Sequence, residues 1–99
     1  MFSWITKQSV RHSDGFIVES VDRFTIAYIE KGKKISIEVE NVRSPSGEFC
    51  VEIKSGSFLH WDGESTLIPS IEQDRIERNF IDAMKFQGVG VTKFQPEDE

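Results

Sequence analysis

The sequence predicts an α+β fold: a single antiparallel β-sheet run as a meander, one α-helix packed on its apolar face, and a last short strand. Three observations carry that expectation. Four short stretches alternate apolar and polar residues at the two-residue period of a half-buried strand. One later stretch, from Ser70 to about Gln87, sets Ile76, Phe80, Ala83 and Met84 at helical spacing. Turn-forming residues separate the stretches, at His12–Gly15, Lys31-Gly32, Ser44–Gly47 and Ser55-Gly56.

The strand Phe16-Ile17-Val18-Glu19-Ser20 follows Gly15. Arg23–Glu30 then alternates, with Phe24, Ile26 and Tyr28 on one side and Arg23, Thr25 and Ala27 on the other. Ile35, Ile37 and Val39 repeat the pattern against Ser36, Glu38 and Glu40. A two-residue Lys31-Gly32 loop joins these strands, with Gly supplying a positive φ. It predicts Tyr28 opposite Ile35, Ile26 opposite Ile37 and Phe24 opposite Val39, with Thr25 facing Glu38 and Arg23 facing Glu40 on the other face. A slip by one residue would set Ile26 against Glu38 and spoil both faces.

A turn centred on Pro45 leads to Glu48–Lys54, with Phe49, Val51 and Ile53 on the apolar face and Cys50 and Glu52 behind it. The expected register pairs Val39 with Val51 and Ile37 with Ile53, and places Glu38 opposite Glu52. After Ser55-Gly56, Phe58–Trp61 reads as a short strand that would set Glu52 opposite Leu59 and Cys50 opposite Trp61. Asp62–Pro69 is loop. Ser70 as N-cap and Gln73 three residues on form a capping box, and Glu72 and Asp74 suit the positive end of the helix dipole. Ile81 flanks the apolar stripe, Gly88 is the expected stop, and Val89–Phe94 is the last strand.

The 99 residues make one domain, with residues 1–13 as an N-terminal segment of undecided path and 96–99 as a frayed acidic tail. That first segment either forms an edge strand or folds Phe2 and Trp4 over the core. Eight Phe and two Trp suffice for a core without staples, and the single cysteine, Cys50, excludes an internal disulfide. The N-terminus has no basic start followed by a long apolar run, and no stretch of eighteen apolar residues occurs, so neither a signal peptide nor a membrane span is expected. A cytoplasmic protein is the expectation. Twelve basic against seventeen acidic residues give a net charge of −5, which disfavours nucleic-acid partners and favours basic macromolecules.

The sequence assembles no nucleophile, metal cage or phosphate cradle, so no catalytic residue, metal or cofactor is expected. His12, His60 and Cys50 lack zinc spacing; His12 reads as a surface residue and His60 as packed on the sheet. Cys50, with Glu40 as its expected neighbour, lacks the electropositive setting of a reactive thiol. Gly88-Val89-Gly90 follows a helix instead of opening one, so it is no phosphate loop. Glu38, Glu40, Glu52 and Trp61 are the candidate partner-binding residues: they share the open sheet face if the Ser55-Gly56 turn is tight. Acidic groups speed encounter with a basic partner, and Trp is a frequent hot spot. Two alternatives stay open for Trp61: the N-terminal segment covers it, or a bulge turns it inward.

Asp14-Gly15-Phe16-Ile17, the Lys31-Gly32 hairpin, His60-Trp61 with a Pro-containing loop after it, and Ile76-x-x-Asn79-Phe80-Ile81-x-Ala83-Met84-x-Phe86-x-Gly88 together make residues 14–95 resemble small α+β immunity proteins of bacterial polymorphic-toxin systems. Asp62-Gly63-Glu64 follows Trp61 where that pattern sets a proline sooner. The resemblance implies binding and neutralisation of a cognate toxin protein, without catalysis. Two other functions are expected as alternatives. One is a self-associating structural module, a homodimer through an edge strand at Phe16–Ser20 or Val89–Phe94. The other is a small ligand-binding protein or enzyme that uses His60.

Overall fold

Adjacent strands follow one another along most of the chain, so the sheet is built almost entirely from local connections. The computed structural model describes residues 1–43, 45–54 and 56–94. The strands are β1 (Phe2–Thr6), β2 (Ser9–His12), β3 (Phe16–Asp22), β4 (Thr25–Glu30), β5 (Lys33–Arg43) and β6 (Phe49–Lys54). The helix α1 (Ser70–Phe86) and the strand β7 (Gly90–Phe94) complete the chain. The seven strands lie in one sheet in sequence order. All neighbours are antiparallel except β6 and β7, which run parallel. The expected single sheet is present, antiparallel but for its last pair: α1 carries the chain back along the sheet, as a crossover must. The expected tail 96–99 lies outside the described residues, as do Ser44 and Ser55 of the expected turns.

The residues before Gly15 form the hairpin β1–β2, so the edge-strand reading holds, and Phe2 also packs against the core. The Lys31-Gly32 hairpin has the expected register, with Tyr28 on Ile35, Ile26 on Ile37 and Thr25 on Glu38. Positive φ at both Lys31 (52°) and Gly32 (78°) defines the primed turn whose twist matches the strands. That ladder ends at Thr25, and the expected pairs of Phe24 with Val39 and Arg23 with Glu40 give way to looser contacts. The Phe24 carbonyl accepts from the Val39 N–H at 2.9 Å, and the Asn41 side chain donates to the Arg23 carbonyl at 2.9 Å.

Between β5 and β6 the register differs from expectation by two residues: Val39 pairs with Ile53, Glu40 with Glu52 and Val42 with Cys50. The connection between Arg43 and Phe49 is longer than the tight turn assumed. A shift of two preserves faces, so Val51 and Ile53 still enter the core while Phe49 stays exposed. Phe58–Trp61 forms no strand. Its loop instead covers the free edge of β5, where Asp62 N–H donates to the Lys34 carbonyl and the Asp62 carboxylate accepts from Ser36 N–H and Ser36 Oγ.

The core lies between α1 and one face of the sheet. Ile76, Phe80, Ala83 and Met84 share a single buried cluster with Ile26, Ile37 and Val51, as the helical spacing predicts. Burying each large apolar side chain contributes about 1.5–3 kcal/mol relative to exposure. The helix ends as expected at Gly88, φ 81°, where Gly88 N–H bonds the Lys85 carbonyl and Val89 N–H the Met84 carbonyl, closing a Schellman motif. The start differs: Pro69 is the N-cap, without a side-chain cap. Gln73 donates through its amide to the Ile68 carbonyl at 2.6 Å in place of a capping box.

A polar network pins the N-terminal half of α1 to β4. Tyr28, fully buried, donates to Glu30 at 2.5 Å and accepts from Asn79 at 3.1 Å. Arg75 holds both oxygens of Glu30, at 3.0 and 2.9 Å. Burial alone would push the Glu30 carboxyl up, but the hydrogen bonds from Arg75 and Tyr28 outweigh it and hold the carboxyl below its usual range. Folded Glu30 binds its proton more weakly than unfolded Glu30. Its contribution is therefore complete above the unfolded carboxylate range and disappears as pH falls through the lower folded value. Thermal melts between about pH 5 and about pH 2.5 should show a smaller loss for Glu30→Gln than for the wild type. Equal acid limbs would show that this carboxylate contributes nothing to acid sensitivity.

Candidate binding face

The face of the sheet away from α1 is open. Alternation sends Thr25 of β4, Ser36, Glu38 and Glu40 of β5, and Glu52 and Lys54 of β6 to this side. An open groove of about 400 Å³ brings Glu38, Glu40 and Glu52 together with Phe24, Thr25 and Lys54. Glu40 stands directly opposite Glu52 in the ladder, a consequence of the two-residue register difference. Among the described residues none of the three glutamates has an ion-pair partner. Like charges directly opposite across strands are destabilising, so this arrangement works against the isolated fold.

Trp61 is the exception among the four expected residues. It is half-buried on the helix side, with its ring centroid 6.4 Å from that of Tyr28 and the Lys33 ammonium 5.9 Å from the ring. The reason is the missing strand: with 58–61 in a loop, the expected Glu52–Leu59 and Cys50–Trp61 pairs do not form. Trp61 does face inward, but it is carried there by the loop and not by the strand bulge expected as the cause.

Phe24 provides the exposed aromatic group that the sequence reading assigned to Trp61. Its side chain is 60% exposed at the groove, although alternation set it beside Ile26 and Tyr28 in the core. The Phe24 N–H donates to the Asp22 carboxylate at 2.8 Å, an Asx-turn that takes the residue out of the strand. Asp22 two residues before Phe24 is the signal that could have revealed it.

No family model, curated protein or solved structure matches this chain. The histidines exchange their expected roles. His12 is half-buried and stacks on Phe16 with ring centroids 5.1 Å apart, whereas His60 is exposed in the loop. Cys50 neighbours Val42 instead of Glu40. Among the described residues no three His, Cys, Asp or Glu side chains are placed to hold a metal ion. No described helix is long and apolar enough to cross a membrane. A second groove, of about 440 Å³, lies on the helix side near the end of α1, with Ile26, Val39, Val51 and Met84 in its walls and Asn41 and Phe49 at its rim.

Proposed function

We propose that this chain is a non-catalytic protein-binding domain whose open sheet face docks a basic partner protein. The observation that supports this reading is Glu40 facing Glu52, neither of them in an ion pair among the described residues, with Glu38 beside them and Phe24 exposed at the same groove. A partner carrying Lys or Arg would relieve the repulsion, and Phe24 would fill an apolar pocket on it. The resemblance to immunity proteins directs the choice of partner to a toxin, neutralised in the cytoplasm of the cell that makes both proteins.

The test is co-expression with the toxin-like product of the adjacent reading frame, scoring growth and measuring affinity. Glu38→Lys with Glu52→Lys should abolish protection and weaken binding at least about tenfold, with most of the loss in association rate at low salt. Glu52→Gln separates binding from folding, because the two readouts move oppositely. It should weaken binding while raising stability by about 0.2–1 kcal/mol through relief of the Glu40 repulsion. Protection that survives the double reversal would refute this face as the docking surface.

A further inference from the structure

Among the described residues the sheet ends at β1 and β7, and the strand Phe16–Ser20, one of the two expected self-pairing edges, is interior. We propose that β1 is a self-association edge, through which two copies of this chain pair antiparallel about a twofold axis at Ser3. Ser13 N–H donates to the Met1 carbonyl at 3.1 Å. Antiparallel alternation then makes Ser3 and Arg11 the next hydrogen-bonded pair and turns the N–H and C=O of Phe2 and Trp4 outward, away from β2. Outward backbone groups at a sheet edge offer a ladder that an extended strand can complete.

Three features make a second β1 the fitting strand. Phe2–Thr6 carries no charged side chain in a chain of net charge −5, and the Met1 ammonium beside it is held on His12 and Ser13. The Ser3-centred register sets Phe2 opposite Trp4 of the other copy, twice, and stays clear of the bulge between Trp4 and Thr6. It also completes an open aromatic cluster. Phe2 stacks on Phe86 at 5.4 Å and Trp4 lies 5.9 Å from it, yet Trp4 and Phe86 remain 51% and 44% exposed. Because the axis is normal to the sheet, both helices lie on one side and the two clusters meet there. The Lys7 side chains of the two copies, eight positions apart in this register, would stand about 26 Å from each other at ~3.3 Å per residue, well beyond the Debye length of about 8 Å. Edge β7 lacks these features, and its Lys93 is bound to Glu77.

Sedimentation velocity from about 1 µM to about 1 mM should show reversible dimerisation. Trp4→Lys should weaken it at least about tenfold while leaving the helical circular-dichroism signal intact. In a Cys50→Ser background, Ser3→Cys should form a covalent dimer on mild oxidation, because the two Ser3 residues face each other as a non-hydrogen-bonded pair with Cα atoms about 4.5 Å apart. Ile5→Cys, off the axis, should crosslink far less. A monomer across the whole range, a dimer indifferent to Trp4→Lys, or equal crosslinking at positions 3 and 5 would each overturn the proposal.

Discussion

Phe80→Ala should lower the unfolding free energy by about 3–5 kcal/mol, the usual loss for emptying a fully buried phenylalanine site. Phe80 has no exposed surface and lies with Phe58 at a ring separation of 5.7 Å. It sits in the same cluster as Ile76 and Met84 of the helix and the inward residues of β4, β5 and β6. Phe58 comes from the loop after β6, so the cavity would open where helix, sheet and loop meet and could not collapse from one side. A domain of this size has about 5–15 kcal/mol in total, so the variant should be partly unfolded in thermal melts. Phe80→Leu keeps most of the volume and should cost less than about 1.5 kcal/mol. Ile71→Ala, at a helix position 79% exposed, should change stability by no more than about 0.5 kcal/mol. Urea titrations giving similar values for Phe80→Ala and Ile71→Ala would remove the helix as the roof of this core.

The elements that could be read from the sequence are those where a local rule and the core pattern agree. The Lys31-Gly32 hairpin had one register compatible with both faces of β4 and β5, and that register is present. The helix stripe and its Gly88 stop were likewise fixed by spacing and backbone conformation. Longer connections carry no such constraint. The β5–β6 register depended on an assumed tight turn at Pro45, and the looser connection moved it by two residues. Parity made that displacement invisible to any argument from burial, yet it exchanged the charge pair on the open face from Glu38–Glu52 to Glu40–Glu52. The β1–β2 hairpin was obscure for another reason: its Lys7-Gln8 connection contains no glycine, and the bulge beside it breaks the alternation.

The candidate face was legible in its acids and misread in its aromatic residue. Glu38, Glu40 and Glu52 follow from strand alternation, which survives a two-residue slip. Phe58–Trp61 carries apolar residues on both of its sides and so lacked any alternation to say which side faced in. Asp62 explains its fate, since that carboxylate and its own N–H occupy the edge of β5 that a strand would have used. Trp61 is thereby held over Tyr28, and Phe24, released by its Asx-turn, is left as the aromatic group beside the acids.

Arg75→Met should destabilise the fold by about 1.5–3 kcal/mol. Breaking a buried pair from one side costs about 3–5 kcal/mol, and the lower figure reflects the 41% exposure of the Arg75 side chain, which lets water reach the vacated position. The carboxylate it leaves is only 11% exposed and keeps the Tyr28 hydroxyl as its remaining neutral donor. Replacing Glu30 as well should recover much of the loss, because Glu30→Met with Arg75→Met removes both charges and leaves apolar groups of similar size. The coupling between the two sites should therefore exceed about 1 kcal/mol in a double-mutant cycle. Tyr28→Phe, which deletes the charge-assisted bond to Glu30 and the neutral one from Asn79, should cost about 2–4 kcal/mol. Strictly additive losses at Glu30 and Arg75 would mean that the pair is solvated and does not fasten α1 to β4. The fastening matters for the open face as well. The network holds the helix on the inner side of β4 through Tyr28 and Glu30, while Thr25 of the same strand points to the acidic groove. A helix that shifted would displace β4 and β5 together, so Arg75→Met should weaken partner binding by more than the population of unfolded chains accounts for.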